Sequence, residues 1–554
     1  MKKMDGKKRW NNITFVIEAG SIICIAVMLL NLLCFHMYNI IDSDMSSELV
    51  LANQLAHWGG GGGISDNWYY STELRVVNTQ LISAFIFRFT ENWQLVRVLT
   101  AIILYLIYGS VIAFLGKSLK WKKGIIFLCE FLLLVPYSST YLRFVQFGMF
   151  YYPHIILMFL GLGCFFNSGV KKIYILFWVM ISFLMGLGGL RYLLIMHIPM
   201  LLAGSILLIR EKSFRDLLNT PAKENAKRLL STGEAYRLAV VTGGCAAAGS
   251  GYLILEKLLR TKFIFQKFDN LRYSNLGETG DSIADIFGRV IMGIPEILGF
   301  RYNVPLISAK GILNVFALLF VLIIVICLWI LIRRVLAGHV NLSGQRKDDM
   351  YGDVYAFDFM ILLLLCSFLA NIYVFVFAGN YTSRYWIPVL IWLIPILASY
   401  INQIKNPTNM LRICTIGILC YIFINGMSIL SDALKNDGSA NRYGVNQYLI
   451  SQDMNVGYST FWNANVTTEM TNGQIKMLPI NSESDLAIYK WLTPRDYYYD
   501  DRQMSKATFI LLSREEAERV HDTPLYSQGL IGYMDDSFVV FVFNRDYLES
   551  QIVY

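Results

Sequence analysis

The sequence predicts an all-α polytopic membrane protein of about eleven transmembrane helices, closed at its C-terminal end by a small α/β domain. Three observations carry that expectation. Hydrophobic residues make up 55% of the 554 and charged residues only 16%, too little polar surface for a soluble fold of this size. The apolar residues gather into runs of roughly 18 to 25 residues, long enough to cross a bilayer. After Ser431 the pattern changes, and charge and turn residues rise sharply.

The chain opens MKKMDGKKRW and runs apolar from Ile13 to Ile41. That run is too long for a signal peptide and lacks a small-residue cleavage site, so it reads as a retained first span. Further spans are expected at Leu95–Gly116, Gly124–Tyr137, Met149–Asn167, Ile173–Gly189, Tyr192–Ile209 and Tyr236–Leu255. The rest are Gly311–Ile332, Val354–Ala378, Tyr385–Ile401 and Leu411–Leu430. The run from Gly124 is short and borrows residues from Tyr137 onward. Between Ile173–Gly189 and Tyr192–Ile209 almost no connection remains, so Gly186, Gly188 and Gly189 must form a tight hairpin or a partly re-entrant pair.

Basic residues fall in alternate connections: Lys117, Lys120, Lys122 and Lys123; Lys171 and Lys172; Arg210 through Arg228; Arg333 and Arg334; Lys405. With the N-terminus they define one face, expected to be cytoplasmic. Residues 1–430 then form the membrane domain and residues 431–554 an extracytoplasmic one. Two further outer segments are large, 42–94 and 256–310. The tail alternates strand-like runs (Val456–Phe461, Thr508–Leu512, Phe538–Phe543) with helical ones (Asn441–Ser451, Asp485–Leu492, Arg514–Val520), as one α/β domain would.

Several function classes fall away. The net charge of +8 resides in loop clusters rather than in a basic stripe with interleaved aromatics, which argues against nucleic acid. All nine cysteines lie in apolar runs with no CxxC or Cys/His spacing, which argues against a disulfide framework or structural zinc. An outer domain held by its core alone suits a bacterial plasma-membrane protein.

The first outer segment carries the strongest chemical signal. It begins IDSDMSSELVLANQLAHW, placing Asp42, Asp44 and Glu48 beside the bilayer surface. In a helix Asp42 and Asp44 diverge by about 200°, whereas Asp44 and Glu48 share a face. Both aspartates therefore serve one site only if the backbone is non-helical through Ser43. Such carboxylates can act as a general base or hold a hard divalent cation, Mg or Mn; equally, they can mark a helix start. Gly59 to Gly63 form a flexible link without the Gly-Lys-Ser/Thr of a phosphate loop. Trp58, Trp68, Tyr69 and Tyr70 suit an interfacial aromatic belt. Gln80 to Phe89 reads as an amphipathic helix on the membrane surface, and Glu73 and Arg75 lie close enough in sequence to support a site.

Arg143, Arg191 and Arg384 stand at outer helix ends, where a guanidinium can grip a phosphate or simply snorkel. Arg384, followed by Tyr385 and Pro388, heads a span on a short loop. His154, one turn inside the boundary, can bind phosphate or pack. In the tail, Trp462 and Asn463 occupy a strand-to-helix turn suited to recognising hydroxyls or to capping.

In these features the chain resembles the GT-C superfamily of membrane glycosyltransferases, which includes protein mannosyltransferases and aminoarabinose transferases. The matching residues are the acidic pair Asp42 and Asp44, the amphipathic segments that follow, and the Arg384, Tyr385, Pro388 group opening a late span. The resemblance covers residues 13 to 430, and the tail in position only. It implies inverting transfer of a sugar from a polyprenyl-phosphate donor to a glycan, lipid or protein acceptor of the envelope, with Asp42 or Asp44 as base. The chain has Asp-Ser-Asp where the mannosyltransferases have adjacent Asp-Glu, so which carboxylate is the base stays open. Two rival readings are a lipid or polysaccharide transporter and an inactive glycan-binding scaffold. No internal repeat is visible, and the charges collect at one face rather than at mid-membrane, as a transporter's would.

Overall fold

The structure is a computed structural model that describes residues 19–57, 63–71, 74, 76–147, 150–210, 233–265, 282–337, 350–377, 381–404, 409–435, 440–499, 507–520 and 522–553. Its helices begin with α1 (Ala19–Asn39), α2 (Ser43–His57), α3 (Gln80–Phe87), α4 (Trp93–Ser118), α5 (Lys123–Leu134) and α6 (Ser139–Phe147). Then come α7 (Tyr152–Asn167), α8 (Ile173–Leu187), α9 (Leu190–Arg210), α10 (Glu234–Lys262) and α11 (Ile283–Ile297). The last of the membrane domain are α12 (Ala309–Ala337), α13 (Met350–Phe377), α14 (Ser383–Gln403) and α15 (Asn409–Lys435).

Among the described residues, eight helices are long and apolar enough to cross a membrane: α1, α4, α9, α10, α12, α13, α14 and α15. The other three expected spans differ in form. Helices α5 and α6 meet at a 96° bend, because Pro136 follows the helix end and the residue before a proline is driven to extended backbone, here Val135 at ψ 129°. Helices α7 and α8 have 16 and 15 residues, or about 24 and 22 Å at 1.5 Å per residue. Apolar composition marks such segments as buried without revealing where they break or stop.

The break between α5 and α6 leaves carbonyls that must be satisfied away from water. Tyr137 donates its hydroxyl to Leu132 O at 2.6 Å and Tyr141 donates to Leu133 O at 2.8 Å. Gln146 Nε2 donates to Leu133 O and Leu134 O at 3.2 and 2.8 Å, and Gln146 Oε1 accepts from Tyr152. The expected glycine hairpin forms between α8 and α9, with Gly189 at φ +117°, a conformation open to glycine. Helices α8 and α10 approach backbone to backbone: a Cβ on Gly186 would sit 2.0 Å from Ala248 O, and one on Gly251 2.3 Å from Phe183 O. Small residues permit this contact, the main source of packing between membrane helices.

The opposite end of the bundle is held by Lys122 N donating to Asn402 Oδ1 and by Arg210, which reaches both Val335 O and Asp358. The other end is the tail face. There α3 is amphipathic as expected, with Gln80 and Ser83 buried and Leu81 and Phe85 turned outward.

The tail begins with α16 (Ala440–Ser451) and continues through β3 (Val456–Thr460), α17 (Phe461–Met470) and β4 (Lys476–Ile480). A five-stranded sheet of order β4-β3-β6-β8-β7 follows, with β6 (Phe509–Ser513), α18 (Arg514–Val520), β7 (Leu530–Met534) and β8 (Phe538–Val542). β4, β3 and β6 run parallel, β8 lies antiparallel to β6, and β7 lies antiparallel to β8. A smaller sheet of order β2-β1-β5 joins β1 (Trp68–Tyr70), β2 (Ile264–Phe265) and β5 (Thr493–Pro494), one strand from each segment on this face.

Two expectations are corrected here. Trp68, Tyr69 and Tyr70 are not a lipid belt: all three are buried in β1, with Tyr69 in the core of the tail and its two neighbours in a core with α2. Residues 485–492 are not helical, because Ile488 N donates to Val553 O, Tyr489 N to Pro479 O and Leu492 N to Tyr69 O. Those tertiary bonds replace the local ones a helix would make. Trp58, Glu73, Arg75 and Gly59 to Gly62 lie outside the described residues.

One ion pair fastens the tail to the bundle. Arg97 of α4 donates through Nε and Nη2 to the two oxygens of Glu469 in α17, each at 2.7 Å, and Nη2 also reaches Met45 O at 3.3 Å. Both side chains are buried. Breaking such a pair from one side costs about 3–5 kcal/mol, whereas replacing both partners by apolar groups costs far less. Arg97→Leu and Glu469→Leu should each lower the apparent Tm of detergent-solubilised protein sharply, and the double variant should recover most of the loss. A double variant as unstable as the sum of the singles would contradict this account.

Candidate functional site

Asp42 stands just outside α2 and accepts the Met45 N–H through Oδ1 at 3.0 Å, capping the helix. Its Oδ2 forms an ion pair with Arg143 Nη2 of α6. Asp44 lies in the first turn and points elsewhere: its Oδ2 is 3.7 Å from Arg384 Nη1, at the head of α14. The backbone thus becomes helical at Ser43, and the two carboxylates diverge as the spacing implies. They nevertheless share a site, because both arginines rest on one ring. The guanidinium carbons of Arg143 and Arg384 lie 5.9 and 4.7 Å from the centre of Phe144.

The cationic row continues laterally. Arg384 lies 5.8 Å from the ring centre of Tyr385, and Arg191 lies 5.6 Å from the same ring. Arg191 also approaches the Tyr151 ring at 5.7 Å and donates to its hydroxyl at 3.4 Å. Aromatic faces between guanidinium groups hold each in place through cation–π attraction and space like charges that would otherwise repel. Wide helical turns occur at Leu32–His36, before Asp42 in the chain, at Leu142–Phe147, around Arg143, and at Leu193–His197, after Arg191. Such turns redirect side chains and recur at functional sites.

His154 borders this row in a packed position. Its ring stacks on Tyr192 at 4.8 Å, and Nδ1 is 3.0 Å from Phe150 O. Glu48 lies outside this row, nearer Arg97, receiving Asn78 Nδ2 at 3.1 Å and the Thr79 hydroxyl. It lines a separate small cavity with Ser47, Trp68, Tyr70, Asn78 and Gln80.

The tail covers the site from the other side. Val466 N donates to Ser43 Oγ at 3.3 Å, and Tyr443 meets Tyr38 edge to face at 5.9 Å. Tyr489 lies close enough to Asp44 that, after burial, the nearby carboxylate is a further cause raising its phenol above the usual range. Arg442 of α16 gave no signal in sequence, sitting in a polar helix without any motif. Its Nη2 donates to Asn463 Oδ1 at 3.0 Å, and Asn463 Nδ2 donates to Glu516 Oε2 at 3.2 Å. Burial pulls the Arg442 guanidinium down to about 10, against the charges of Glu516 and Asp42, which favour its protonated form. Trp462, by contrast, is 58% exposed.

Asp42, Asp44, Arg191, Arg384 and Tyr385 are therefore brought together, with His154 at the edge, Asn463 joined through Arg442, and Glu48 set apart. Among these groups four guanidinium ions (Arg143, Arg191, Arg384 and Arg442) face three carboxylates (Asp42, Asp44 and Glu516). Asp42 and Asp44 each face a guanidinium, and no trio of His, Cys, Asp or Glu converges among the described residues. No family model matches the chain, and no curated protein matches its sequence.

Because Asp42 both caps α2 and binds Arg143, its substitutions separate the two roles. Asp42→Asn keeps the cap and should leave the apparent Tm nearly unchanged. Asp42→Ala should cost about 1 kcal/mol, read as a lower Tm. Equal Tm values for the two variants would refute the capping role.

Proposed function

We propose that this protein is a membrane glycosyltransferase. In this reading it transfers a sugar from a polyprenyl-phosphate donor to a glycan, lipid or protein acceptor of the cell envelope. The convergence of Asp42 and Asp44 with arginines from separate helix ends supports the reading above any other observation. A base for the acceptor hydroxyl and a cationic row for the departing phosphate are what such transfer requires.

The roles follow from the contacts. Asp42 is engaged on both oxygens, by the Met45 amide and by Arg143, so it orients that guanidinium. In this reading Asp44, beside Arg384 in the first turn of α2, serves as the general base. It takes the acceptor's proton as the hydroxyl oxygen attacks the anomeric carbon, and the bond to the phosphate oxygen breaks on the opposite face, inverting the centre. Arg143, Arg384 and Arg191 stabilise the negative charge that collects on the leaving lipid phosphate. Tyr385 spaces two of those guanidinium groups.

The placement in the membrane is part of the proposal. Counting α7, α8 and the bent α5–α6 pair as crossings gives eleven, with the basic connections on the cytoplasmic face of a bacterial plasma membrane and the tail outside. The outer leaflet then borders the site, where the donor's lipid tail can remain in the bilayer.

Transfer from a panel of polyprenyl-phosphate sugars by purified protein tests the reading. Asp44→Asn should lower turnover about 10²–10⁴-fold, the range for losing a general base. Asp42→Asn and Arg384→Gln should chiefly raise the KM for donor. Turnover indifferent to both aspartates would remove the mechanism. A cysteine placed at Ser537 of the tail should be labelled from outside intact cells by a membrane-impermeant reagent; labelling only after lysis would reverse the topology.

A further inference from the structure

The parallel part of the tail sheet has a property that its strand order alone creates. From β3 the chain passes through α17 to β4 on one side, then returns to form β6 on the other side of β3. From β6 it leaves through α18 toward β8 and β7, away from β4. The connections from β3 and β6 therefore diverge at their carboxyl ends, the position at which an open α/β sheet has its crevice. In open α/β sheets, ligands bind at such a switch point.

The residues at this crevice are chemically specific. Thr460 ends β3 and leads to Trp462 and Asn463 in the first turn of α17, while Ser513 ends β6 and leads to Glu516. Ser513 N donates to Glu516 Oε2 at 2.7 Å, and the same oxygen receives Asn463. Arg442 reaches in from α16 over the face of Phe538, its guanidinium carbon 4.8 Å from the ring centre. Its Nη2 is used by Asn463, whereas its Nη1 is buried with no acceptor among the described residues. A buried guanidinium N–H without a partner is costly, and an oxygen anion would satisfy it. The contacts of Tyr443 with Tyr38 and of Val466 with Ser43 set this crevice against the start of α2, where Asp42 stands.

We propose that the crevice is a subsite for a glycosyl phosphate, with Arg442 Nη1 donating to a phosphate oxygen and the exposed Trp462 meeting the sugar, while Asn463 holds Arg442 in place. The proposal rests on the transferase reading and deepens it: the tail supplies part of the donor site. The same chemistry occurs in the head of a lipid-linked sugar and in a soluble sugar phosphate.

Full-length protein in lipid nanodiscs would be titrated with decaprenyl phosphate, decaprenyl-phosphate glucose and glucose 1-phosphate. Arg442→Gln should weaken binding of all phosphate probes that the wild type binds by tenfold or more, with Arg442→Lys recovering part of the loss. Trp462→Ala should weaken only the sugar-bearing probes, and Arg519→Gln, at a surface pair with Glu483, should change nothing. Binding of glucose 1-phosphate as tight as that of the lipid, and lost in Arg442→Gln, would assign the subsite to a soluble ligand of the same class. If Arg384→Gln abolishes lipid binding while Arg442→Gln, with an unchanged Tm, binds within twofold of wild type, the subsite is refuted and the transferase reading stands. If the wild type binds none of the three probes, both fall.

Discussion

The arrangement depends on the buried ion pair between Arg97 and Glu469. Two hydrogen bonds of 2.7 Å join a membrane helix to the tail across 372 residues of sequence. Its third contact, from Arg97 Nη2 to Met45 O, draws in the first turns of α2. One guanidinium therefore sets the mutual position of α4, α17 and the segment bearing Asp42 and Asp44. A buried pair of this kind contributes little net stability because desolvation offsets attraction. Its value lies in register, since any sliding of the tail would strand a charge.

A second constraint acts from within the bundle. Arg143 reaches Asp42 because α6 lies nearly perpendicular to α5, and that geometry exposes three carbonyls in an apolar setting. Tyr137, Tyr141 and Gln146 satisfy them. Gln146 sits three residues beyond Arg143, so the side chain that seals the break belongs to the helix that presents the arginine. The wide turn at Leu142–Phe147 is part of the same adjustment. Placing a cation at this boundary thus required a broken helix, and the broken helix required a polar cluster inside the bundle.

Much of this was legible in the sequence, for identifiable reasons. Apolar runs located the helices because burial in lipid tolerates few charges, and the cations beside helix ends marked Arg191 and Arg384 as neighbours of a boundary. The aspartate spacing correctly implied divergent side chains once α2 began at Ser43. What stayed hidden depended on partners distant in sequence. Strands β4 and β7 escaped notice because they are the two edges of their sheet and carry Pro479 and Gly532, residues that edges tolerate and central strands do not. Residues 485–492 have helical spacing but are bonded to Pro479, Val553 and Tyr69. Arg442 has no local signature whatever; only the fold carries it to Asp42 and Asn463.

The distribution of polar groups bears on the choice between surface chemistry and transport. A transporter needs ionisable or unwound elements along a path between the two faces. Here the described cations and acids of the tail face are tied to one another, and those of the opposite face, Arg210 and Asp358 among them, form a separate group. Between them lies a continuous apolar core to which most of the helices contribute. The polar cluster at the α5–α6 break donates to carbonyls of that break, so its hydrogen bonds are already committed to structure. Half-buried Glu130 stands within α5 rather than at an unwound point. The ion pairs of Asp42 and Asp44 on the tail face and that of Asp358 on the opposite face therefore stand at separate ends of the apolar core, the former beneath the tail.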